Sequence, residues 1–221
     1  MSSVQPMETD DLPESHLRVL DCAWELIARR GAANVTLAEI AKKAGVSRQA
    51  IYLFFGGRGR LLQAMTRRQD STSGIRQRFS RAALDTPLPD ALGTCIRTWF
   101  DYLPEISPVA TALMGTAAVD KEAEDAWAER MASLRQVFAA VCRRLWAEGY
   151  LADGWTVEKA TDFIYAQAHF STWQHLVIER NWNQADATDV VVQAIERVLL
   201  APIAPNRLSK NRHSSGARFR P

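Results

Sequence analysis

Three hydrogen-bonding side chains lie on one side of a short predicted helix. Arg48, Gln49 and Tyr52 occur in SRQAIYLFFGGRGRLL, residues 47–62, and basic residues surround them: Lys42, Lys43, Arg58 and Arg60. In the major groove, arginine can make two hydrogen bonds to guanine and glutamine can make two to adenine. Arg48 could equally contact a phosphate, as basic and hydroxyl side chains often do. These residue types at this spacing predict a surface that contacts DNA.

The GGRGR run that follows, residues 56–60, is open to two other interpretations. A phosphate-binding loop needs a preceding strand and a following Lys-Ser/Thr pair, and neither is present. A glycine- and arginine-rich tail would lack amphipathic periodicity, whereas helical patterns are predicted on both sides of these glycines. The run therefore indicates a joint between two helices.

Two short helices and a tight turn must position this surface. Thr36 and Glu39 have the spacing of a capping box, so a helix is predicted to begin at residue 37. Gly45 predicts the end of that helix through a left-handed cap, and Ser47 predicts the start of the next. Small and apolar residues at the crossing complete a helix-turn-helix core: Ile40, Ala41, Gly45, Val46 and Ile51.

Charge is divided unevenly along the chain. The 221 residues carry a net charge of only +2, yet residues 15–80 carry +8 and residues 81–201 carry −7. A basic block is typical of a surface that meets a polyanion. Two packed core helices without a partner remain the alternative for this pattern, and the charge division favours DNA binding.

Apolar residues recur at helical spacing almost throughout, which predicts an all-α fold of about nine helices. Beyond the first three, helices are expected over about 58–81, 87–102, 119–147, 156–179 and 186–200. Pro104 and Pro108 predict a separate, broken short helix, because proline lacks the N–H of a helical hydrogen bond. Thr156 and Asp186 are the expected caps of the last two helices.

Residues 35–62, VTLAEIAKKAGVSRQAIYLFFGGRGRLL, resemble the TetR family of one-component transcriptional regulators. The likeness rests on the T-x-x-E-I-A-x-x-A-G-V-S core followed by Tyr52, Phe55 and Leu61, and is specific over about residues 15–65. Beyond that region only helix order and length match. The resemblance implies a homodimer, most often a repressor, that binds a palindromic double-stranded DNA operator and is released by a small-molecule effector.

The resemblance also implies contacts with DNA residue by residue. Tyr52 is similar to a tyrosine that donates to a phosphate, and Arg58 stands where the family usually has a phosphate-contacting lysine. Thr36 and Ser47 are helix caps first, and are also placed near phosphates. Gly59 replaces a commonly acidic residue, which removes a favourable charge at a helix N-terminus. The predicted DNA-contact set is Thr36, Lys43, Ser47, Arg48, Gln49, Tyr52 and Arg58.

The resemblance assigns the acidic second half to ligand binding and dimerisation. An effector pocket needs apolar walls and a few inward polar groups, and we expect a small, fairly apolar effector. The predicted pocket set is Trp99, Trp127, Met131, Phe138, Tyr165, Gln167 and His169. For the aromatic residues plain core packing is the alternative, because an aromatic stripe at helical spacing is typical of a core.

Small and apolar residues share one face on each of the last two helices, which predicts a two-fold four-helix bundle between two copies of the chain. The predicted dimer set is Ile164, Ala168, Ser171, His175, Val191, Ala194, Ile195 and Val198. Burial of these faces within one subunit is the alternative, with His175 as an ordinary packing residue.

The expected organisation has four parts. Residues 1–14 form a disordered tail, 15–60 the helix-turn-helix DNA-binding domain, 61–201 the helical ligand-binding and dimerisation domain, and 202–221 a basic disordered tail. A non-sequence-specific nucleic-acid-binding protein that uses the basic block and tail remains an alternative function.

Other classes of protein are not predicted. The sequence contains no G-x-S-x-G, H-E-x-x-H or Walker motif that would indicate an enzyme. Cys22, Cys95 and Cys142 stand singly and indicate core thiols in a reducing compartment, with no metal or cofactor. No signal peptide and no apolar run of about 20 residues is apparent, so a cytoplasmic protein without a membrane span is expected.

Overall fold

The structure is a computed structural model that describes residues 12–31, 34–117 and 120–202. These residues form helices that pack on one another, which confirms the all-α prediction. Most of the two expected tails, residues 1–11 and 203–221, lies outside the described residues. The helices are α1 (Glu14–Arg30), α2 (Leu37–Ala44), α3 (Arg48–Phe55), α4 (Arg58–Thr72), α5 (Ile75–Ser80), α6 (Ala91–Ala117), α7 (Lys121–Ala147), α8 (Val157–Gln167), α9 (Phe170–Trp173) and α10 (Gln184–Leu199).

Helices α2 and α3 begin and end at the predicted residues. The Thr36 hydroxyl accepts from the Glu39 N–H at 3.2 Å, and the Glu39 carboxylate accepts from the Thr36 N–H at 2.8 Å, so the capping box is complete. Gly45 ends α2 with φ +68°, in the left-handed region. The Ser47 hydroxyl accepts from the Ala50 N–H at 3.0 Å and caps α3. Local signals therefore fix the ends of these two helices.

The core under the helix-turn-helix extends into three later helices. Ile40 and Ile51 are fully buried, and Leu62 of α4, Leu113 of α6 and Ala126 of α7 belong to the same cluster. The domain boundary at residue 60 stays a prediction, since α4 packs in this cluster and α6 and α7 contribute both to it and to the larger core beyond it.

The predicted helix over residues 58–81 is interrupted. Helix α4 ends at Thr72, and Gly74 adopts φ +64° before α5 begins. Because this left-handed conformation suits glycine, the chain changes direction there. A π-helical turn, Arg81–Asp85, then continues α5. The prediction of one continuous helix is wrong, and the break brings α5 beside α6 and the π-helical turn beside α6 and α7.

The predicted break at the prolines is also wrong. Helix α6 runs for 27 residues with Pro104 and Pro108 inside it. Proline at position 104 deprives the Phe100 carbonyl of its helical donor, and the Gln184 side-chain amide donates to that carbonyl at 2.8 Å instead. Buried neighbours such as Ile106 hold the helix in the core on the opposite side of these prolines.

Thr156 caps α8 as predicted, by accepting from the Lys159 N–H at 3.2 Å, but the later boundaries of the C-terminal helices differ from the prediction. The helix expected over 156–179 ends at Gln167, and the Ala168 carbonyl accepts from the buried Trp99 indole N–H at 2.8 Å. Helix α9 follows and continues as a π-helical turn, Gln174–Glu179. Asn183, and not Asp186, caps α10 by accepting from the Ala185 N–H at 2.8 Å.

The larger core lies between α6, α7, α8 and α10. Its biggest fully buried side chains are aromatic: Phe100, Tyr102, Phe138, Phe170 and Trp173. Across the three described ranges, no helix combines the length and the apolar character needed to cross a bilayer. Packing of this core fixes the positions of α6 and α7, and α4 packs against both of them.

Candidate functional site

The exposed side of α3 carries the predicted reading residues. Ile51 and Phe55 face the core, whereas Arg48, Gln49 and Tyr52 are exposed. The structure therefore brings these three residues together on the outer surface of the second helix of the helix-turn-helix. A helix presented in this way can enter a major groove.

Arg48 and Tyr52 form a pair one turn apart. The Arg48 guanidinium lies 5.7 Å from the Tyr52 ring centroid, and its Nη2 is 3.4 Å from the Tyr52 hydroxyl. The stacking holds Arg48 beside Tyr52, so Gln49 stands separately on the exposed face. Both members of the pair remain exposed, as a contact with a phosphate or base edge requires.

Lys43 and Arg58 have partners within the protein. The Lys43 ammonium lies 2.8 Å from the Glu25 carboxylate, and the hydrogen bond and charge of Lys43 lower the pKa of Glu25. Arg58 is half-buried and donates to the Val35 carbonyl at 2.7 Å. Phosphate contacts by these two residues stay predictions. The Arg58 bond does join the first turn of α4 to the residue before the cap of α2.

Thr36 and Ser47 are exposed and cap α2 and α3. The charge-assisted hydrogen bonds of the capping box and of Arg30 lower the pKa of Glu39 to about 2. Contact of either hydroxyl with DNA stays a prediction. The residues predicted for the crossing do come together: Ile40, Ala41 and Ile51 are buried, Gly45 makes the turn, and Val46 packs against the same cluster.

A cavity of about 480 Å³ lies between α4, α5, α6 and α7. Its apolar wall comes from the last three of these helices and the π-helical turn: Ile75, Phe79, Leu84, Trp99, Leu134 and Val137. This volume lies within the usual range for small-molecule sites, and the mixture of apolar walls with a few polar groups is also typical of them.

A polar cluster of the buried Tyr102 with the partly buried Asp70 and Arg130 forms part of the cavity wall. Arg130 donates to the two Asp70 oxygens at 2.6 and 2.9 Å, and the Tyr102 hydroxyl donates to Asp70 at 2.5 Å. Burial, reinforced by the Asp70 charge, raises the pKa of Tyr102 well above its usual value, so the phenol stays protonated. The cluster connects α4 with α6 and α7.

A second polar group on the cavity wall also connects α4 with α7. Glu129 accepts from Arg67 at 2.9 Å and from Gln63 at 3.0 Å. Further towards the N-termini of the two helices, Arg60 lies 2.7 Å from Glu122. Helix α4 therefore has polar contacts with α7 along most of its length.

Gly59 lies at a close approach of α4 to the start of α7. A Cβ at this position would lie 2.9 Å from the Ala123 backbone nitrogen and from one Asp120 carboxylate oxygen. The sequence suggested only the loss of a favourable acidic charge here. The structure shows that the absence of a side chain lets the N-terminus of α4 pack directly on that of α7.

The structure does not bring the seven predicted pocket residues together. Trp99 lines the cavity, while Met131 and Phe138 are buried in the core. Trp127, Tyr165 and His169 form an edge-to-face aromatic group near Phe170, and Gln167 is exposed at the end of α8. Burial lowers the pKa of His169. Whether any of the seven binds a ligand stays a prediction.

Sequence reasoning missed the contribution of α4 and α5 to the cavity. It treated residues 58–81 as a connecting helix, so Asp70 and Arg130 were not singled out. One signal was available, since each is a charged residue next to an apolar helical stripe. Charged residues in such positions are rarely buried unless they are paired, but their pairing across 60 residues was not visible.

The predicted dimer set divides into buried and exposed residues. Ile164, Ala168, Val191 and Ile195 are buried within the subunit, so their side chains are not available to a partner in this conformation. The physical reason is that these faces of α8 and α10 pack against the core of α6 and α7. The other members are exposed on the outer side: Ser171, His175, Ala194 and Val198.

Exposed apolar residues extend that outer side. Ile178 and Trp182 follow α9, and Val190 and Val198 lie two turns apart on α10, each between 43% and 54% exposed. His175 is 2.9 Å from Glu179 on the same surface. Scattered exposed apolar residues are ordinary, but several on neighbouring helices are typical of an interaction surface.

An exposed basic helix-turn-helix joined by α4 to a helical region with a cavity defines a class of DNA-binding regulators. Residues 19–65 match the model of the bacterial regulatory proteins of the tetR family. This match covers the helix-turn-helix region only, and there the chain is similar to the TetR family. The family consists of transcriptional regulators and not of enzymes, which agrees with the sequence analysis.

Among curated proteins, the chain is similar to the HTH-type transcriptional regulator TtgR of Pseudomonas putida. The two are 34% identical over 88 residues, which span 40% of each chain. The HTH-type transcriptional regulator SrpR, also of Pseudomonas putida, is 42% identical over 52 residues, 24% of each chain. These alignments cover less than half of the relatives' length.

A solved structure described as a transcriptional regulator from Saccharomonospora viridis in complex with choline has the same fold. Its TM-score is 0.70 at 20% identity, covering 86% of this chain and 99% of that one. The regulator FadR from Bacillus subtilis in complex with stearoyl-CoA has a TM-score of 0.67 at 17% identity, covering 83% and 98%. The likeness in fold thus includes the helical region beyond the helix-turn-helix.

Proposed function

We propose that this protein is a cytoplasmic, ligand-responsive repressor that binds a palindromic DNA operator as a homodimer and is released by a small, fairly apolar effector. One observation supports this most strongly. Helix α4 carries cavity residues Asp70 and Arg67 at one end and, at the other, Arg58 bonded to Val35 next to the helix-turn-helix. A single helix, α4, therefore connects a ligand-sized cavity to the helix-turn-helix that carries α3.

The cavity between α4 and α7 is our candidate effector site. The structures similar in fold were solved with choline and with stearoyl-CoA, so proteins of this fold bind small molecules. A molecule that enters between Trp99 and Val137 would press on α4, whose contacts with α7 include the Asp70–Arg130 ion pair. A ligand shifts the protein towards the conformation that it binds more tightly.

Displacement of α4 would act on DNA through its first turn. The Arg58 bond to Val35 joins α4 to the start of α2, and Gly56 and Gly57 join it to the end of α3. In a dimer, the two α3 helices would have to lie about one helical turn of DNA apart, roughly 34 Å. A small tilt of α4 in both subunits would change that distance and weaken operator binding.

The outer surface of α9 and α10 is our candidate dimer interface. We replace the buried members of the sequence-based set by the exposed apolar residues beside its exposed members. The proposed interface comprises Ser171, His175, Ile178, Trp182, Val190, Ala194 and Val198. Two copies of this surface related by a two-fold axis would form a four-helix bundle.

Footprinting on the DNA around the protein's own gene tests the proposal. A discrete symmetric footprint is expected, with an affinity that falls steeply with salt because basic side chains displace counterions from phosphates. Arg48→Ala and Gln49→Ala should remove the footprint, whereas Arg143→Ala, at an exposed arginine on α7, should leave it intact. A diffuse protection pattern would instead indicate a non-sequence-specific nucleic-acid-binding protein.

The effector site is tested by filling the cavity. Ala140 lines the cavity and Ala128 is exposed on the same helix, so Ala140→Trp and Ala128→Trp are matched variants. Small hydrophobic compounds that raise the melting temperature of the wild type and release DNA should lose both effects in Ala140→Trp only. Equal responses in the two variants would contradict this location.

A further inference from the structure

Leu53 is the most exposed large apolar side chain in the described part of the chain. It is 79% exposed on α3, between the half-buried Phe54 and the exposed Tyr52. The other large apolar side chains of this helix are at least partly covered: Ile51 and Phe55 are buried, and Phe54 stacks on His16 at 3.9 Å. The fold of the subunit therefore gives Leu53 no packing role.

Helix geometry places Leu53 opposite the buried side of α3. Successive residues are rotated by about 100°, so Leu53 lies about 160° from Ile51 on one side, and Gln49 about 160° on the other. Residues four apart are neighbours on a helix surface, so Gln49 and Leu53 form the centre of the outward face. Arg48 and Tyr52, stacked on each other, lie to one side of it.

The neighbours of this face determine what could cover Leu53. Lys42, Lys43 and Arg48 stand on or next to the helix-turn-helix, in a block of net charge +8. An apolar protein or lipid surface would have to desolvate these charges without compensation, whereas DNA phosphates complement them. The apolar group that DNA exposes in its major groove is the C5-methyl of thymine.

We infer that Leu53 contacts a thymine C5-methyl in the major groove and helps to determine operator specificity. This inference rests on the proposed function. Gln49 would supply hydrogen bonds to a base edge, and Leu53, one turn further along α3, would supply apolar contact with a neighbouring base pair. The reading surface thus combines one polar and one apolar determinant at its centre.

Replacing thymine by deoxyuridine tests the inference, because it removes only the C5-methyl. On the operator identified by footprinting, each thymine is replaced in turn, and binding of the wild type and of Leu53→Ala is measured at fixed salt. We expect one thymine in each half-site at which deoxyuridine weakens the wild type by about fourfold, the effect of one buried methyl group. Leu53→Ala should bind both DNAs equally and more weakly than the wild type binds the thymine operator.

Trp146→Ala is the matched control, since Trp146 is 63% exposed on the outside of α7, away from α3 and from the cavity. It should keep the full response to deoxyuridine. Two outcomes would overturn the inference while leaving the proposed function intact: a wild type insensitive to every deoxyuridine, or a Leu53→Ala variant as sensitive as the wild type. Absence of any sequence-specific complex with DNA would overturn both this inference and the proposed function.

Discussion

Single side chains in this protein matter most where a charge is buried. The Asp70–Arg130 pair leaves only 23% and 11% of the two side chains exposed, whereas Asp162 and Arg135 form a pair that is 64% and 45% exposed. A buried ion pair is strongly destabilised by loss of one partner, because the other charge remains away from water. An exposed pair contributes little. The two pairs therefore form a natural comparison.

Asp70→Asn should lower the free energy of unfolding by about 3 kcal/mol, because Arg130 would keep its charge without a counterion. Urea denaturation measures the change. Asp162→Asn is the matched control and should change stability by less than about 1 kcal/mol. Similar effects in the two variants would show that the cavity cluster contributes no more than a surface ion pair.

At the level of elements, α4 connects α3, the second helix of the helix-turn-helix, to the cavity. Its start is held by Arg58, which donates to the Val35 carbonyl, and by the contact of Gly59 with α7. Its far end is held by Asp70, which accepts from Arg130 and Tyr102. Because a helix is stiff along its axis, a displacement at one end must appear at the other. At the glycine contact there is no room for a side chain.

Gly59→Ala tests that contact. The added methyl would come within 2.9 Å of the Ala123 backbone, so α4 must move away from α7. We expect a net loss of about 1–2 kcal/mol in unfolding free energy, which is typical of overpacking, together with weaker operator binding. Gly57→Ala is the control, because a Cβ there would meet nothing within 4 Å and the backbone is extended.

Equal urea denaturation curves for Gly59→Ala and Gly57→Ala would show that the contact with α7 does not constrain α4. A stability loss without any change in operator binding would separate the packing at this point from the proposed transmission to DNA. Both quantities are measured on the same protein preparations, so the comparison is direct.

Across the whole molecule, the basic residues and the exposed apolar residues lie in different regions, which suits a protein that binds DNA as a dimer. The basic helix-turn-helix lies at the N-terminal end of the chain, and the exposed apolar residues of α10 lie near the other. A two-fold assembly through α10 would leave both α3 helices available to the same duplex. Under the proposed function, operator binding would depend on the oligomeric state.

Val198→Glu should dissociate the proposed dimer. Because the interface is two-fold, each substitution appears twice and introduces charge into an apolar contact. Sedimentation is expected to change from dimer to monomer at micromolar concentration, with loss of operator binding. Trp146→Glu, at a 63% exposed position on the outside of α7, should sediment as the wild type does. A dimeric Val198→Glu protein would place the interface elsewhere.

The sequence by itself determined the helix-turn-helix and its joint to α4. The signals for these helix ends reach no further than about four positions along the chain. The structure has the expected caps and turn at each of them: Thr36, Gly45, Ser47 and the glycines after Phe55. Such signals are local, because capping groups satisfy the free N–H and C=O groups of their own helix. The uneven distribution of charge along the chain also predicted that the N-terminal part would contact DNA. This prediction needed no knowledge of the fold, because the charge of a segment is set by its sequence.

Only the tertiary structure decided the continuity of α6, the cavity and the buried part of the dimer set. Gln184 replaces the donor that Pro104 removes, although 84 residues separate it from Phe100. Arg130 meets Asp70 across 60 residues, which makes α4 a wall of the cavity. An amphipathic pattern shows that a helix face is apolar, but whether that face meets its own core or a partner depends on packing. That is why Ile195 is buried while Val198, on the same helix, stays exposed.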